Sequence, residues 1–492
     1  MAKAQPIPVP APYAGENTRD GIAVLQPAEA RHLENWDTTG NSVKARKGYA
    51  SYSTGGASST VETLAAFDGL TTSKMIGVAG GSIYDYSGAS ASLLSAAGYT
   101  DSRFQTVNYN NRLIGVNGTD TPWVYDGATI AATGFTGLTL TQLANVAYVR
   151  SRLWFCQTSN ADVWYGGVGS ITGALTKFQL SQIAGGGTCM AIGSHSQDAG
   201  NGPDDYIAFV MSTGEVLIYS GDPATTFSLV GSYRMPPPVG RQCLVKIGGQ
   251  LAVVTRMGLV PIASAIQGTA FDQLALGNFG KVAPSITSEA GLYGTFEGWA
   301  PTFHEGKVII NIPTSDGATS KQRVYNTQVG AWTQWSGIPA STWCVWGNNI
   351  YIGAWTTGVV YKLTGTTDAG SAISFKARGA FLTNSQGGQR ITAKAIRFDM
   401  AVDGSVTGQF GIDTDYIERA ITTPAVPIAT SYASTAWGAA WGSQWSTSNQ
   451  YNGQWFGAYG SGRSLGIALN ASGLVTTLEY FGAHVLVEPA TR

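Results

Sequence analysis

Charge is scarce in this chain. Asp, Glu, Lys and Arg make up 12% of 492 residues, and 29 basic against 30 acidic side chains leave a net charge of −1. That share is about half of what globular proteins usually carry. No whole-molecule field is available to draw in nucleic acid. Cysteine is scarce too. Cys156, Cys189, Cys243 and Cys344 stand far apart, and no CxxC pair offers a zinc site. Cys156 and Cys344 fall in or beside apolar stretches, which predicts buried free thiols. The four histidines, His32, His195, His304 and His484, are isolated and lack metal-ligand spacing. No apolar run reaches the length of a membrane span. The opening MAKAQPIPVPAPYAG has no apolar core of the kind a secretory signal needs, so folding in a cytoplasm is expected.

Catalytic patterns are missing as well. There is no GxSxG, no P-loop and no GxGxxG after a strand. The carboxylates open to glycosidase chemistry, such as Asp68, Asp126 and Glu215, mostly adjoin glycine or close strands, where Asp forms turns. Repeated sialidase Asp-boxes are absent. We therefore expect no enzyme: no catalytic residue, no cofactor-binding residue and no metal ligand. The scarcity of charge has two readings. Either much of the surface is covered by other protein, or the surface is polar but uncharged, as in Ser/Thr/Asn/Gly-rich extracellular β-proteins.

What the chain does have is glycine, 64 residues, and aromatics, with 14 Trp and 22 Tyr. The stretch Gly306 to Gly337 shows how they are used. Lys307 to Ile312 is apolar and β-branched, and Asp316-Gly317 marks a turn. Gln322 to Tyr325 is a second strand pattern, and Ala331 to Trp335 a third, with Trp332 and Trp335 on opposite faces. A lone meander cannot cover its faces or pair its edges. Copies follow at Lys74 to Tyr86, Arg112 to Tyr125, Arg152 to Tyr165, Tyr206 to Tyr219, Gln250 to Ile262 and Asn349 to Tyr361. Most closing positions lie about 40 residues apart, the period of four-stranded propeller blades. Longer gaps before Tyr219 and Tyr325 predict insertions. A large β-sandwich or a β-helix is the competing architecture, but neither has a reason to repeat at this spacing.

The fold class expected is all-β, a β-propeller of six or seven blades. It carries an N-terminal arm, a short helix and a C-terminal domain of β-sandwich type. Residues 1–20, with Pro6, Pro8, Pro10 and Pro12, predict an extended arm. Residues 21–60 predict a helix over Ala28 to Trp36 behind Pro27, then a strand over Val43 to Tyr49. Residues 61–369 are the propeller, with Met235-Pro236-Pro237-Pro238 as a crossing between blades. Residues 370–492 leave the period and read as a sandwich. Within them, Trp437 to Tyr459 is a Trp/Gly-rich segment holding Trp437, Trp441, Trp445 and Trp455. This segment reads as an assembly surface, a Trp-filled core or a sugar platform.

The phrase LQPAEARHLENWDTTGNSVKARKGYA carries a resemblance through Leu25, Pro27, Ala30, Leu33, Asn35, Arg46, Gly48 and Tyr49. So do TPWVYDG (Thr121 to Gly127), RVYNTQVGAWTQW (Arg323 to Trp335) and the Trp/Gly-rich ending. Together these resemble the nozzle, or tail-hub, β-propeller proteins of short-tailed bacteriophages. The resemblance implies a structural virion protein of the phage tail, assembled in the host cytoplasm. It implies a homo-oligomeric ring, hexameric by preference, below the portal adaptor or head–tail connector. DNA would be ejected through that ring without specific binding. Tail fibres or a tail tip would attach to it, which leaves room for contact with the host envelope. Leu33, Trp36, Arg46, Trp437, Trp441, Trp445 and Trp455 are the interface residues this reading selects. The alternatives are a secreted propeller that binds or hydrolyses carbohydrate, and a bacterial surface or filament protein of the same fold.

Overall fold

The structure, a computed structural model, describes residues 4–198, 203–315, 318–383, 389–430, 453–474 and 478–489. The chain forms two units. One holds Ser51–Gln322 and Pro339–Leu363; the other holds Met1–Ala50, Arg323–Ile338 and Thr364–Arg492. The division therefore does not follow the sequence in consecutive blocks. The stretch before the first blade falls largely in the same unit as the C-terminal segment.

The first unit is a seven-bladed propeller. Among the described residues its seven inner strands are Val61–Asp68, Gln105–Tyr109, Leu143–Val149, Cys189–Asp198, Leu244–Ile247, Ala300–His304 and Ala340–Trp346. Each packs on the next, the fourth and fifth meeting through Lys246, whose Nζ donates to Ser194 Oγ at 2.7 Å, and the last packs on the first. The strand pairs found in sequence are the next two strands of each blade, for example Ser73–Ala79 with Ser82–Asp85. Apolar side chains on both faces of each blade meet those of its neighbours. Phe67, Ile76 and Val78 of the first blade pack with Phe104, Leu113, Trp123 and Tyr125 around the second. Val61, Met75 and Tyr86 of the first pack with Cys344, Tyr351 and Val360 of the seventh. Closure uses residues ahead of the first blade. Tyr52, from the strand Tyr49–Ser53, sets its ring 4.7 Å from Tyr351 and donates its hydroxyl to the Ser87 carbonyl at 2.7 Å. The expected insertion before Tyr325 contains three helices, Ile262–Ile266, Ala270–Leu276 and Ala283–Tyr293.

Four inner strands open with the same irregularity. The register slips between Val61 and Thr63, between Leu143 and Asn145, between Cys189 and Ala191, and between Ala340 and Thr342. An extra residue at a bulge drops out of the ladder, so its carbonyl needs another donor. Asn145 Nδ2 donates to the Met190 carbonyl at 3.0 Å and to the Arg241 carbonyl at 3.1 Å. Thr63 Oγ1 donates to the Ser102 carbonyl at 2.6 Å and accepts the Phe104 amide at 2.7 Å. Both side chains are buried, and each staples one blade to another.

The second unit is a β-sandwich. One sheet runs Trp36–Thr38, Val43–Ala45, Leu478–Pro489, Ile391–Val402, Phe456–Gly462, with Gln5–Pro10 also on Leu478–Pro489. The other joins Gly15–Glu16, Glu29–Glu34, Ser371–Gly379, Ser464–Gly473, Ser405–Thr414 and Val426–Thr430. Trp36, Phe375, Phe398, Phe410 and Tyr480 fill the space between the sheets. In Ile391–Val402 a bulge between Ala393 and Ala395 flips the alternation, so that Ala393 and Ile396, three apart, both face the core.

One expectation about the N-terminal segment is corrected. The helix over Ala28 to Trp36 is not formed; Glu29–Glu34 and Trp36–Thr38 are strands, broken at Asn35, whose φ is +64°. Pro27 and the spacing of Leu33 and Trp36 suit a helix, but the sandwich core takes both side chains from strands, so packing overrides local preference. The proline-rich arm is extended, as expected, and Gln5–Pro10 is laid along a strand, pairing with Val487 to Gly482. Ala11 donates its amide to the Phe481 carbonyl at 3.2 Å, so odd-numbered residues face the partner strand and Pro6, Pro8 and Pro10 face outward. The outer edge of this strand consequently offers no N–H at those positions.

Thr63→Val keeps the shape of the side chain and strands a buried carbonyl and a buried amide. Urea unfolding of the variant should show a loss of about 2 kcal/mol, a loss within the range for orphaned buried groups.

Candidate functional site: the central channel

The seven inner strands enclose a channel. A cavity of about 290 Å³ in it is lined from all seven, by residues including Thr63, Gln105, Asn145, Ala191, Leu244, Thr302 and Thr342. A second cavity, of about 270 Å³, shares Gln105, Arg241 and Gln242 with the first. It lies where the inner strands begin. Its wall includes Arg103, Met190, Arg256 and the segment from Gly294 to Glu297. That segment is held in place: the Trp299 indole donates to the Tyr293 carbonyl at 3.0 Å, and Asn311 Nδ2 donates to the Gly298 carbonyl at 3.0 Å.

Arginines give this end of the channel its chemistry. Arg103 precedes the second inner strand, Arg241 precedes the fifth, and Arg256 sits in the turn between Gln250–Thr255 and Gly258–Pro261. Arg103 is only 7% exposed. It donates long bonds, 3.4 and 3.5 Å, to the carbonyls of Glu62 and Ser341, both bulged residues, and one of 3.3 Å to Ser341 Oγ. Arg241 Nη1 donates to the Asn117 carbonyl at 2.8 Å. Among the described residues none of the three arginines has a carboxylate within ion-pair distance. Burial pushes the Arg103 guanidinium below its ordinary value and the Arg241 charge adds to that; the carboxylates of Glu62, Glu297 and Asp101 act in the other direction. Desolvation also raises the Glu62 carboxyl. These arginines lie far apart in the chain, and no motif joins them; the one signal they carry is that Arg103 and Arg241 each stand just ahead of an inner strand.

Of the residues singled out in the sequence, Leu33, Trp36, Arg46 and Trp455 are described, and they lie in the second unit. Leu33 and Trp36 are buried in its core. Arg46 is fully buried and hydrogen-bonded throughout. It donates to Asn35 Oδ1 at 2.8 Å, to the Ser336 carbonyl at 2.8 Å and to both carboxylate oxygens of Asp368 at 2.8 and 2.6 Å. Asn35 Oδ1 also accepts the Ser336 amide, and Asn35 Nδ2 donates to the Ser374 carbonyl. At Gly48 a Cβ would collide with the backbone of Thr367. Trp455 is partly exposed, with the Arg397 guanidinium 5.5 Å from its ring. Trp437, Trp441 and Trp445 lie outside the described residues. The thiols are all free and buried, and the Cys156 and Cys189 sulfurs are 3.4 Å apart. Among the described residues no three His, Cys, Asp or Glu side chains gather into a metal-binding group.

No protein-family model matches the chain, and no curated protein is similar to it in sequence. Solved structures resemble it at the level of the propeller. The WD40 β-propeller domain of Doa1 is 12% identical, with a TM-score of 0.40, covering 64% of this chain and 96% of that one. YCF48 bound to D1 peptide is 8% identical, with a TM-score of 0.38, covering 67% and 95%. The extracellular domain of a hybrid two component system from B. thetaiotaomicron is 11% identical, with a TM-score of 0.40. There the match covers 73% of this chain but only 47% of the other.

Next to Asn35, Glu34 accepts the Ser336 hydroxyl at 2.6 Å and lies 3.0 Å from His32 Nε2 and 3.2 Å from Lys376 Nζ. Burial would raise its carboxyl. The bonds from His32 and Ser336 and the Lys376 charge outweigh burial and hold it at about 2. A depressed carboxyl stabilises the fold fully above its unfolded value, near 4.5, and loses that contribution as pH falls toward 2. Denaturant titrations between about pH 5 and about pH 2, the window set by those values, should therefore show a shallower loss of stability in Glu34→Gln than in the unaltered protein.

Proposed function

We propose that the protein is a nozzle or hub subunit of a short phage tail. Copies would form a ring, six by preference, below a portal adaptor, and DNA would leave through the space the copies surround. The observation that carries the reading is the physical coherence of the phrase on which the resemblance rests. Asn35, Arg46 and Gly48 are spaced as they are because one hydrogen-bonded block needs all three. Asn35 breaks the strand at positive φ and receives Arg46, Arg46 is bonded to Asp368 and Ser336, and Gly48 admits the backbone of Thr367. A phrase with such a reason behind its spacing is a sounder basis for kinship than scattered aromatic residues.

Three further features fit a mechanical part. The cavity in the propeller's own channel, about 290 Å³, has room for roughly ten waters at about 30 Å³ each, far less than a duplex requires. The conduit therefore has to lie between copies. A conduit gains nothing from gripping phosphates, and near-neutral charge suits it. The outward prolines of Gln5–Pro10 disfavour joining copies through that sheet edge, which leaves faces and loops as contacts. The helical insertion after the fifth blade offers such a surface, with Phe271, Leu276 and Leu292 exposed at 53%, 81% and 66%. A carbohydrate-active propeller would want carboxylates in its channel. Glu297 is the one carboxylate among the residues lining the two cavities.

Light scattering on the purified protein, alone and mixed with a candidate adaptor ring, tests this. A ring, or a monomer that becomes a ring on the adaptor, is the expected result. A monomer indifferent to every adaptor and retained on a glycan array would end the proposal in favour of the carbohydrate reading. Leu276→Asp with Leu292→Asp should leave the monomer folded and weaken assembly at least ten-fold, about 1.4 kcal/mol.

A further inference from the structure

The strand-start end of the propeller channel gathers three arginines without a direct ion pair, although the carboxylates of Glu62, Glu297 and Asp101 act on Arg103 from a distance. Arg103, Arg241 and Arg256 share the wall of one cavity with a single carboxylate, that of Glu297, and none of the three is ion-paired among the described residues. In a chain with only 29 Lys and Arg residues this concentration is unusual. Capping the bulge carbonyls of Glu62 and Ser341 accounts for some donors of Arg103, through bonds of 3.3–3.5 Å at the weak end of the range. It does not account for the charge, because an amide would cap a carbonyl equally well, as Asn145 does at Met190. Nor does it account for Arg256, which is exposed at the mouth and makes no side-chain hydrogen bond among the described residues.

We infer that this end of the channel is a binding site for a small oxyanion, a ligand bearing phosphate or carboxylate groups. A buried guanidinium carries a large desolvation cost, which a bound anion offsets, and its planar fork suits two oxygens of one group. Arg103 supplies the deep contact, Arg241 the flank and Arg256 the entrance. Gln105 and Gln242, which line the cavity beside them, add neutral hydrogen-bonding groups. The volume, about 270 Å³, equals roughly nine waters and sets the size of ligand to that of a small metabolite or free ion. The site does not depend on the phage-tail reading, since it lies within one propeller.

Isothermal titration of the full-length protein at low salt, with inorganic phosphate and separately with citrate, decides the matter. Saturable binding of either at one site per chain is expected. Tighter binding of phosphate identifies a phosphate site, and tighter binding of citrate a polycarboxylate site. Arg256→Gln removes an exposed side chain that makes no side-chain hydrogen bond among the described residues and should fold normally, yet weaken binding about ten-fold, the loss of a charge-assisted bond. Arg103→Gln, where it folds, should abolish the heat. Failure of both anions to saturate overturns the site, as does unchanged affinity in Arg256→Gln or in a folded Arg103→Gln.

Discussion

Ring closure is the constraint on which the propeller depends. A four-stranded blade has two apolar faces and no core of its own. Phe67 and Trp123, or Met75 and Tyr351, become buried only when neighbouring blades meet. Six blades in a row would still leave two open faces. Placing Tyr52 on the seventh blade, from residues that precede the first, removes them, and the length of chain between those partners is the entropy that closure has to overcome. Burial at the seam offsets that cost, and it does so only if every blade is present.

Closure also explains the channel. Inner strands brought side by side around an axis crowd one another at their starting ends, and bulges at Glu62, Ala144, Met190 and Ser341 adjust four of them. Each bulge frees backbone groups from the ladder. Asn145 and Arg103 bind such groups across blade boundaries, so local irregularity becomes a link between blades. The channel is thus polar for structural reasons first. Charge at its arginine end goes beyond what those reasons demand, and there structure and ligand recognition part company.

The sandwich solves a different problem. Its chain segments come from both ends of the sequence, and an ion-paired, hydrogen-bonded block around Arg46, Asn35 and Asp368 holds them in one arrangement. Glu16 and Arg323, both buried and 2.6 Å apart, form a second such pair. Buried ion pairs of this kind contribute little net stability against well-packed apolar groups, but breaking one side is costly, so they select a single register.

Local pattern alone determined much of this protein. The repeat of about 40 residues, the strand–turn–strand phrases and their aromatic ends name the second and third strands of each blade, because period-two alternation and turn chemistry are short-range. The strands of the C-terminal segment, such as Ile391–Val402 and Ser405–Thr414, were legible for the same reason. Other features were settled only in three dimensions. Four of the inner strands are bulged, and they are partly polar at the channel, so their alternation is weak. Leu33 and Trp36 look helical until the sandwich core claims them from a strand. The proline-rich arm reads as extended, but its partner strand, Leu478–Pro489, is set only by the fold. Arg103, Arg241 and Arg256 are unremarkable at separations of up to 153 positions (256 minus 103) in the chain. Only closure of the ring sets them around one cavity, because which blade begins beside which is a property of the circle and not of any strand.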